Sequence, residues 1–265
     1  MRTEIYYFTG TGNGLFIAKS IKAKLESNNE SVNLIAINTI DLSNEIVSEA
    51  EKIGIVYPTY AMTAPKIVKD FAKQLRVRDN KYLFLYGHSG GGGARVAVNA
   101  IKIILQERGI NISNTFETTF PSNSAIKAYG TEQLKAILDK SEESIEKNVS
   151  SIVNAEERNT SKLNLIRKSS LLLAENLAVI GEKFMGFKKI SSDDTCIGCA
   201  TCVKVCPVEN IKLSNNRPVF SDKCEMCLAC VNQCPKKSLS YGKMKKANMM
   251  SYRHPDVTLK ELMYR

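Results

Sequence analysis

The sequence predicts an α/β fold built as a doubly wound, five-stranded parallel sheet, followed by a small cysteine-rich α+β domain. Three observations carry this expectation. Strand-like and helix-like stretches alternate through the first 155 of 265 residues, the pattern of a parallel sheet covered on both faces. A glycine-rich turn separates the first strand pattern from the first helix pattern. All 8 cysteines lie beyond residue 195.

The strand patterns fall at residues 4–8, 31–37, 52–57, 81–86 and 112–118, and the helical ones at 14–26, 65–75, 94–108 and 131–153. Such sheets bind ligands beyond the carboxyl ends of their strands, near the point where strand order reverses. The loops after the first, third and fourth strands are therefore the ones that matter.

The first loop reads Phe8-Thr9-Gly10-Thr11-Gly12-Asn13-Gly14. It opens a helix, so its N–H groups and the helix dipole favour an anion there, and Thr9 and Thr11 add hydroxyls. A dinucleotide loop fits poorly: Leu15 stands where a third glycine belongs, and Asn38 and Thr39 follow the second strand in place of an acid. A Walker loop needs a Lys-Ser/Thr pair that is missing. The second loop is Tyr57-Pro58-Thr59-Tyr60-Ala61-Met62. The third, Gly87-His88-Ser89-Gly90-Gly91, satisfies the G-x-S-x-G pattern of a hydrolase elbow. An elbow serine needs a later acid and then a histidine in chain order. After Ser89 the sequence has only His254, in a basic tail, so hydrolysis is disfavoured.

The stretch Phe8–Gly14 resembles the phosphate loop of flavodoxins. The resemblance implies a bound FMN, with Thr9, Gly10, Thr11, Gly12, Asn13 and Gly14 around its phosphate. It implies that Pro58, Thr59, Tyr60, Gly87, His88, Ser89, Gly90 and Gly91 hold its ring, with the glycines letting backbone approach the ring edge. Tyr60 is the stacking candidate or else a half-buried core tyrosine, and His88 lies near the ring edge or is solvated in its loop. Gly14 departs from the family, which usually has a third hydroxyl there.

The cysteines form two runs of the form C-x2-C-x2-C-x3-C-P: Cys196, Cys199, Cys202, Cys206, and Cys224, Cys227, Cys230, Cys234. Disulfides are disfavoured by the spacing. Zinc takes its ligands in pairs, whereas three cysteines at strict spacing with a fourth before proline suit an iron–sulfur cubane. The runs resemble bacterial two-cluster ferredoxins. That resemblance implies two [4Fe–4S] clusters with crossed ligation: Cys196, Cys199, Cys202 and Cys234 on one, and Cys224, Cys227, Cys230 and Cys206 on the other.

Four segments follow: an FMN-binding domain over 1–155, a helical connector over 156–189, a ferredoxin domain over 190–242 and a basic, solvated tail over 243–265. The formal net charge is +10. Clusters and a flavin phosphate, each contributing about −2, bring it nearer +4 and weaken a nucleic-acid reading. No apolar run is long enough to span a bilayer, and no signal peptide opens the chain, so the cytoplasm is the expected location. The whole chain resembles the flavodoxin–ferredoxin fusions of anaerobic bacteria and archaea. That resemblance implies an electron-transfer protein, with no catalytic side chain of its own, coupling one- and two-electron steps for a partner redox protein. The alternative is a reductase whose flavin acts directly on a small molecule.

Overall fold

The computed structural model describes residues 1–60, 62–78, 81–91, 93–124, 129–158, 169, 173, 177, 190–242 and 251–264. Five parallel strands form the main sheet: β1 (Arg2–Tyr7), β2 (Ser31–Ala36), β4 (Lys52–Pro58), β6 (Tyr82–Ser89) and β7 (Asn114–Thr119). Their order is β2-β1-β4-β6-β7, the flavodoxin arrangement, with its reversal between β1 and β4. The predicted strands all form. β6 runs on to Ser89, because its last residues still pair with β7 (His88 with Thr118, Ser89 with Thr119). Two short strands escaped the sequence reading, β3 (Ile46–Ser48) and β5 (Leu75–Val77), which pair parallel with each other outside the main sheet.

Four helices cover the sheet: α1 (Asn13–Glu26), α2 (Lys66–Gln74), α3 (Ala94–Glu107) and α4 (Thr131–Val153). Side chains alternate across each strand. Ile53, Ile55, Tyr57, Leu83 and Leu85 therefore meet α2 and α3 on one face, while Ile5, Val56, Phe84 and Tyr86 meet α1 and α4 on the other. Lys52 is fully buried in β4 and pairs with Glu30 at 2.9 Å, which keeps its charge compensated.

The C-terminal unit is smaller. A hairpin of β9 (Ile211–Ser214) and β10 (Arg217–Phe220) is antiparallel, as is the pair β8 (Ile190–Ser192) and β11 (Leu239–Tyr241). Its core consists of Ile211, Leu228, Val231, Leu239 and Tyr241 packed with Cys206 and Cys230. So few apolar side chains cannot hold such a fold alone, and metal binding characteristically supplies the rest.

The connector expected over 156–189 lies outside the described residues except at its first few positions and at Ser169, Leu173 and Leu177, which are helical and exposed. Residues 251–264 were expected in solvent, and instead pack on the first domain. Val257 and Leu262 bury against Leu15, and Lys19 pairs with Glu261. Lys243, Lys245 and Lys246 are outside the described residues.

Candidate cofactor site

The phosphate-type loop sits at the carboxyl edge of the sheet, where β1 ends. Phe8 N–H donates to the Val56 carbonyl at 2.9 Å, which ties the loop to β4. Gly12 caps α1 at φ 103°, a left-handed conformation that favours glycine. The hydroxyl of Thr9 accepts from Gly12 N–H at 3.0 Å. The first-turn N–H groups of α1 lack intrahelical acceptors by construction and face the turn.

The other two predicted loops adjoin it. Thr59 N–H donates to the His88 carbonyl at 2.7 Å. One cleft is lined by Thr9, Gly10, Asn13, Thr59, His88 and Ser89, with Pro58, Tyr60, Gly90 and Thr11 also at its wall. Ten of the predicted residues thus come together at one place, while Gly12, Gly14, Gly87 and Gly91 are not among those lining it. Their reasons differ in part. A Cβ on Gly87 would stand 2.6 Å from Val98 of α3, and one on Gly90 2.6 Å from Ser122. These glycines are required by packing, whatever lies beyond. Ser89 still belongs to β6, and its carbonyl accepts from Phe120 N–H at 2.8 Å. Gly90 to Gly93 separate it from α3, so it does not sit on a hydrolase's sharp strand-to-helix turn.

Tyr60, expected to stack on a ring, is half-buried and packs with Val205, Cys227 and Ala229 of the cysteine-rich unit. Burial, and then the Cys227 side chain, hold its hydroxyl well above the usual tyrosine range. The two units therefore meet at the loop itself. A Cβ on Gly10 would lie 2.7 Å from the Cys227 carbonyl. Asn123 donates its Nδ2 to that carbonyl at 3.0 Å, and Asn232 donates back to the Asn123 carbonyl at 3.1 Å. Helix α2 begins at Pro65 without a cap of its own. Glu225 supplies one from the other unit, accepting from Lys66 N–H at 2.8 Å and Ile67 N–H at 2.9 Å.

The cysteines gather as two quartets. Cys196, Cys199, Cys202 and Cys234 surround one cavity. Cys206 lies with Cys224, Cys227 and Cys230. Burial pushes the Cys202 thiol up to about 11, with the neighbouring Cys199, Cys234 and Cys196 adding to it. Burial also raises Cys227 and Cys230 far above the usual range. Cys199 is lowered instead, through its hydrogen bond with the Thr201 hydroxyl. Thiols crowded in this way become thiolates against a cationic centre. Among the described residues, no three Cys, His, Asp or Glu side chains converge tightly enough for a single metal ion. The sulfurs of Cys196, Cys199, Cys202 and Cys234 border a common space, the room that a cubane needs.

Sequence reasoning missed the last segment. Tyr252 donates its hydroxyl to Asn13 Oδ1 at 2.7 Å, His254 N–H donates to the Thr11 carbonyl at 2.9 Å, and the Tyr264 hydroxyl donates to the Thr9 carbonyl at 3.2 Å. His254 stacks on Phe16, ring centroids 3.8 Å apart. Burial holds the His254 imidazole down to about 4, against the opposing pull of Asp256. His88 is held down to about 3 by burial and then by His254. Both are neutral near pH 7.

Residues 188–235 match the family model of the 4Fe–4S dicluster domain. Ferredoxin-2 of Desulfomicrobium norvegicum is 51% identical over 35 residues, 13% of this chain and 59% of that protein. The chain thus spans under two thirds of that relative. Among solved structures, the Streptococcus pneumonia TIGR4 flavodoxin is 19% identical and covers 56% of this chain and 99% of its own, with a TM-score of 0.39. Flavodoxin 1 from Bacillus cereus is 17% identical over 55% of this chain and 98% of its own, with a TM-score of 0.37. An FMN-dependent NADH-azoreductase from Bacillus anthracis str. Ames Ancestor is 12% identical over 58% of this chain and 100% of its own, at 0.43. The N-terminal assignment rests on the strand order rather than on these likenesses. The chain thus joins a five-stranded parallel sheet of flavodoxin-like strand order to a segment that matches the 4Fe–4S dicluster domain, an arrangement similar to that of flavodoxin–ferredoxin fusions.

Proposed function

We propose that this protein transfers electrons between two [4Fe–4S] clusters and an FMN, coupling one-electron and two-electron steps for a partner redox protein. The observation that carries the reading is the contact between Cys227 and Gly10. A residue of one cysteine quartet touches the loop that fits a flavin phosphate, which makes Cys206, Cys224, Cys227 and Cys230 the inner quartet. Bound in these places, the clusters supply one-electron steps and the flavin supplies one- or two-electron steps.

The residues present fit those groups. The loop offers helix N–H groups and threonine hydroxyls, and the adjoining loop after β4 an unpartnered Thr59 Oγ1. The outer quartet includes the exposed Cys199, with exposed Ile197 and Leu213 beside it. In this reading the outer quartet, whose cavity is lined by Ile197 and Leu213, meets the partner, and the inner one relays to the flavin. The carrier role is favoured over direct reduction of a small molecule, because Cys227, Asn123 and Tyr60 crowd the approach to the cleft.

An anaerobic redox titration, followed by optical and EPR spectra, tests this. The expected result is about eight irons and eight sulfides per chain, one releasable FMN, and separate potentials for flavin and clusters. FAD in place of FMN, zinc in place of iron, or a flavin that stays oxidised when the clusters are reduced and potential allows, sinks it.

A further inference from the structure

We propose that His88 and His254 form a phosphate-binding wall, each donating its Nε2–H to the phosphate of the bound flavin, with His254 carried there by the C-terminal segment. The inference rests on the FMN reading above and extends it to two specific donors. One of them lies on a segment that belongs to neither cofactor motif.

Four polar side-chain atoms are buried among the described residues without a hydrogen-bond partner: Tyr57 Oη, Thr59 Oγ1, His88 Nε2 and His254 Nε2. Such atoms are uncommon in folded proteins and call for a partner. Three of them border the loop at the start of α1. Thr59 and His88 are joined through their backbones at 2.7 Å. His88 and His254 flank the same ring, that of Phe120, at centroid distances of 5.6 Å and 5.7 Å. The His254 backbone is bonded to Thr11, and its Cβ lies 3.1 Å from where a side chain on Gly12 would begin.

Proton placement at His254 follows from its neighbour. Asp256 N–H donates to His254 Nδ1 at 3.3 Å. Nδ1 therefore accepts, and the neutral ring carries its proton on Nε2. The atom left without a partner is a donor. An anion at a helix N-terminus is an acceptor suited to it.

His88 addresses the departure at Gly14. There the loop lacks the hydroxyl that flavodoxin loops usually carry. A side chain at that position would begin 2.5 Å from the Phe8 carbonyl and 3.3 Å from His88 Nε2. The space is closed to a side chain from α1, and an imidazole nitrogen from β6 reaches its edge. The missing hydroxyl is thus replaced by a ring nitrogen from the end of β6.

The test uses the full chain stripped of flavin, titrated with FMN and separately with riboflavin, which lacks the phosphate, while flavin fluorescence is followed. The wild type is expected to bind FMN more tightly than riboflavin. His254→Phe keeps a ring against Phe16 and removes the donor. It should weaken FMN by about ten- to a hundredfold and leave riboflavin within about threefold, as for loss of a hydrogen bond to a charged group. His254→Gln restores a donor and should recover most of the loss. His88→Leu should behave as His254→Phe does. Riboflavin binding doubles as the check that each variant is folded. If FMN and riboflavin weaken together, or neither changes, the histidines only pack the site and the proposal falls. If the wild type binds both flavins equally, the phosphate wall is wrong while the flavin reading stands. If it binds neither, the flavin reading itself has failed.

Discussion

The two cysteine runs share one backbone and differ in their surroundings. Gly198 and Met226 both have positive φ, as do Ala200 and Leu228, and each run continues into a four-residue helix, Thr201–Lys204 or Ala229–Asn232. The residue after the first cysteine is Ile197 in one run and Glu225 in the other. Ile197 is 60% exposed, whereas Glu225 caps a helix of the other domain. Of the outer quartet none is buried. In the inner quartet Cys206, Cys227 and Cys230 are. The repeat provides two equivalent cradles, and a few side chains decide which one docks.

The sharpest way to break this comparison is to remove one ligand from each quartet. Cys206→Ala should damage the same cluster as Cys224→Ala and slow flavin reduction by at least about a hundredfold, since that cluster is the relay in the proposed route. Cys234→Ala should damage the other cluster, as Cys196→Ala does, and leave reduction by a small soluble donor within about tenfold. EPR and stopped-flow absorbance read both effects. Should Cys206→Ala match Cys196→Ala, each run holds its own cluster and the inner–outer distinction collapses.

Making the inner run resemble the outer one comes next. Glu225→Ile removes the cap of α2 and should lower stability by about 1–2 kcal/mol in guanidinium unfolding. Ile197→Glu, on an exposed position, should change stability by less than about 0.5 kcal/mol. Equal losses would mean that Glu225 does not distinguish the two halves.

Acid sharpens the contrast between the docked side and the open one. His88 and His254 are neutral when folded, with their protonation held down to about 3 and about 4. In the unfolded chain they take up protons near pH 6.5. The unfolded state thus binds more protons below that pH, so stability falls as pH drops from about 6.5 towards 4, by up to about 1.4 kcal/mol per unit for each histidine. Melting curves of flavin-free wild type and His254→Phe should diverge over this window, with the variant the less acid-sensitive. Parallel curves would show that His254 is not buried neutral.

The smallest effect concerns the ion pair between Lys19 and Glu261, which fastens the C-terminal segment to α1. Lys19→Ala should cost no more than about 1 kcal/mol, and less at high salt, because the pair is partly exposed. A larger loss would mean that this segment depends on charge more than on Val257 and Leu262.

Much of the fold was legible because local patterns specify it. Apolar runs such as residues 82–86 read as buried parallel strands, glycines opened α1, and cysteine spacing is dictated by the shape of a cubane. What escaped depends on contacts between distant segments. Glu225, between two cysteines, reads as a surface acid, and only the docked structure reveals the N–H groups it meets. The end of the chain reads as basic and solvated, since Tyr252, His254, Val257 and Leu262 follow no helical or strand period. Gly87 and Gly90 were noticed, but Val98 and Ser122, which require them, lie in other elements. β3 and β5 were missed because three-residue strands give too little alternation to register.

The enclosure of the Thr9–Gly14 loop has a consequence for assembly. One side is covered by Cys227 and the other by the segment from Tyr252 to Tyr264. A ligand seated on that loop is held behind two walls that close from different parts of the chain. Its arrival and departure are then governed by how often a wall opens, a local unfolding equilibrium, rather than by the strength of its own contacts. Order of addition follows from this. Flavin supplied before the cysteine-rich unit has folded around iron meets an open loop, whereas flavin supplied afterwards waits for a breach.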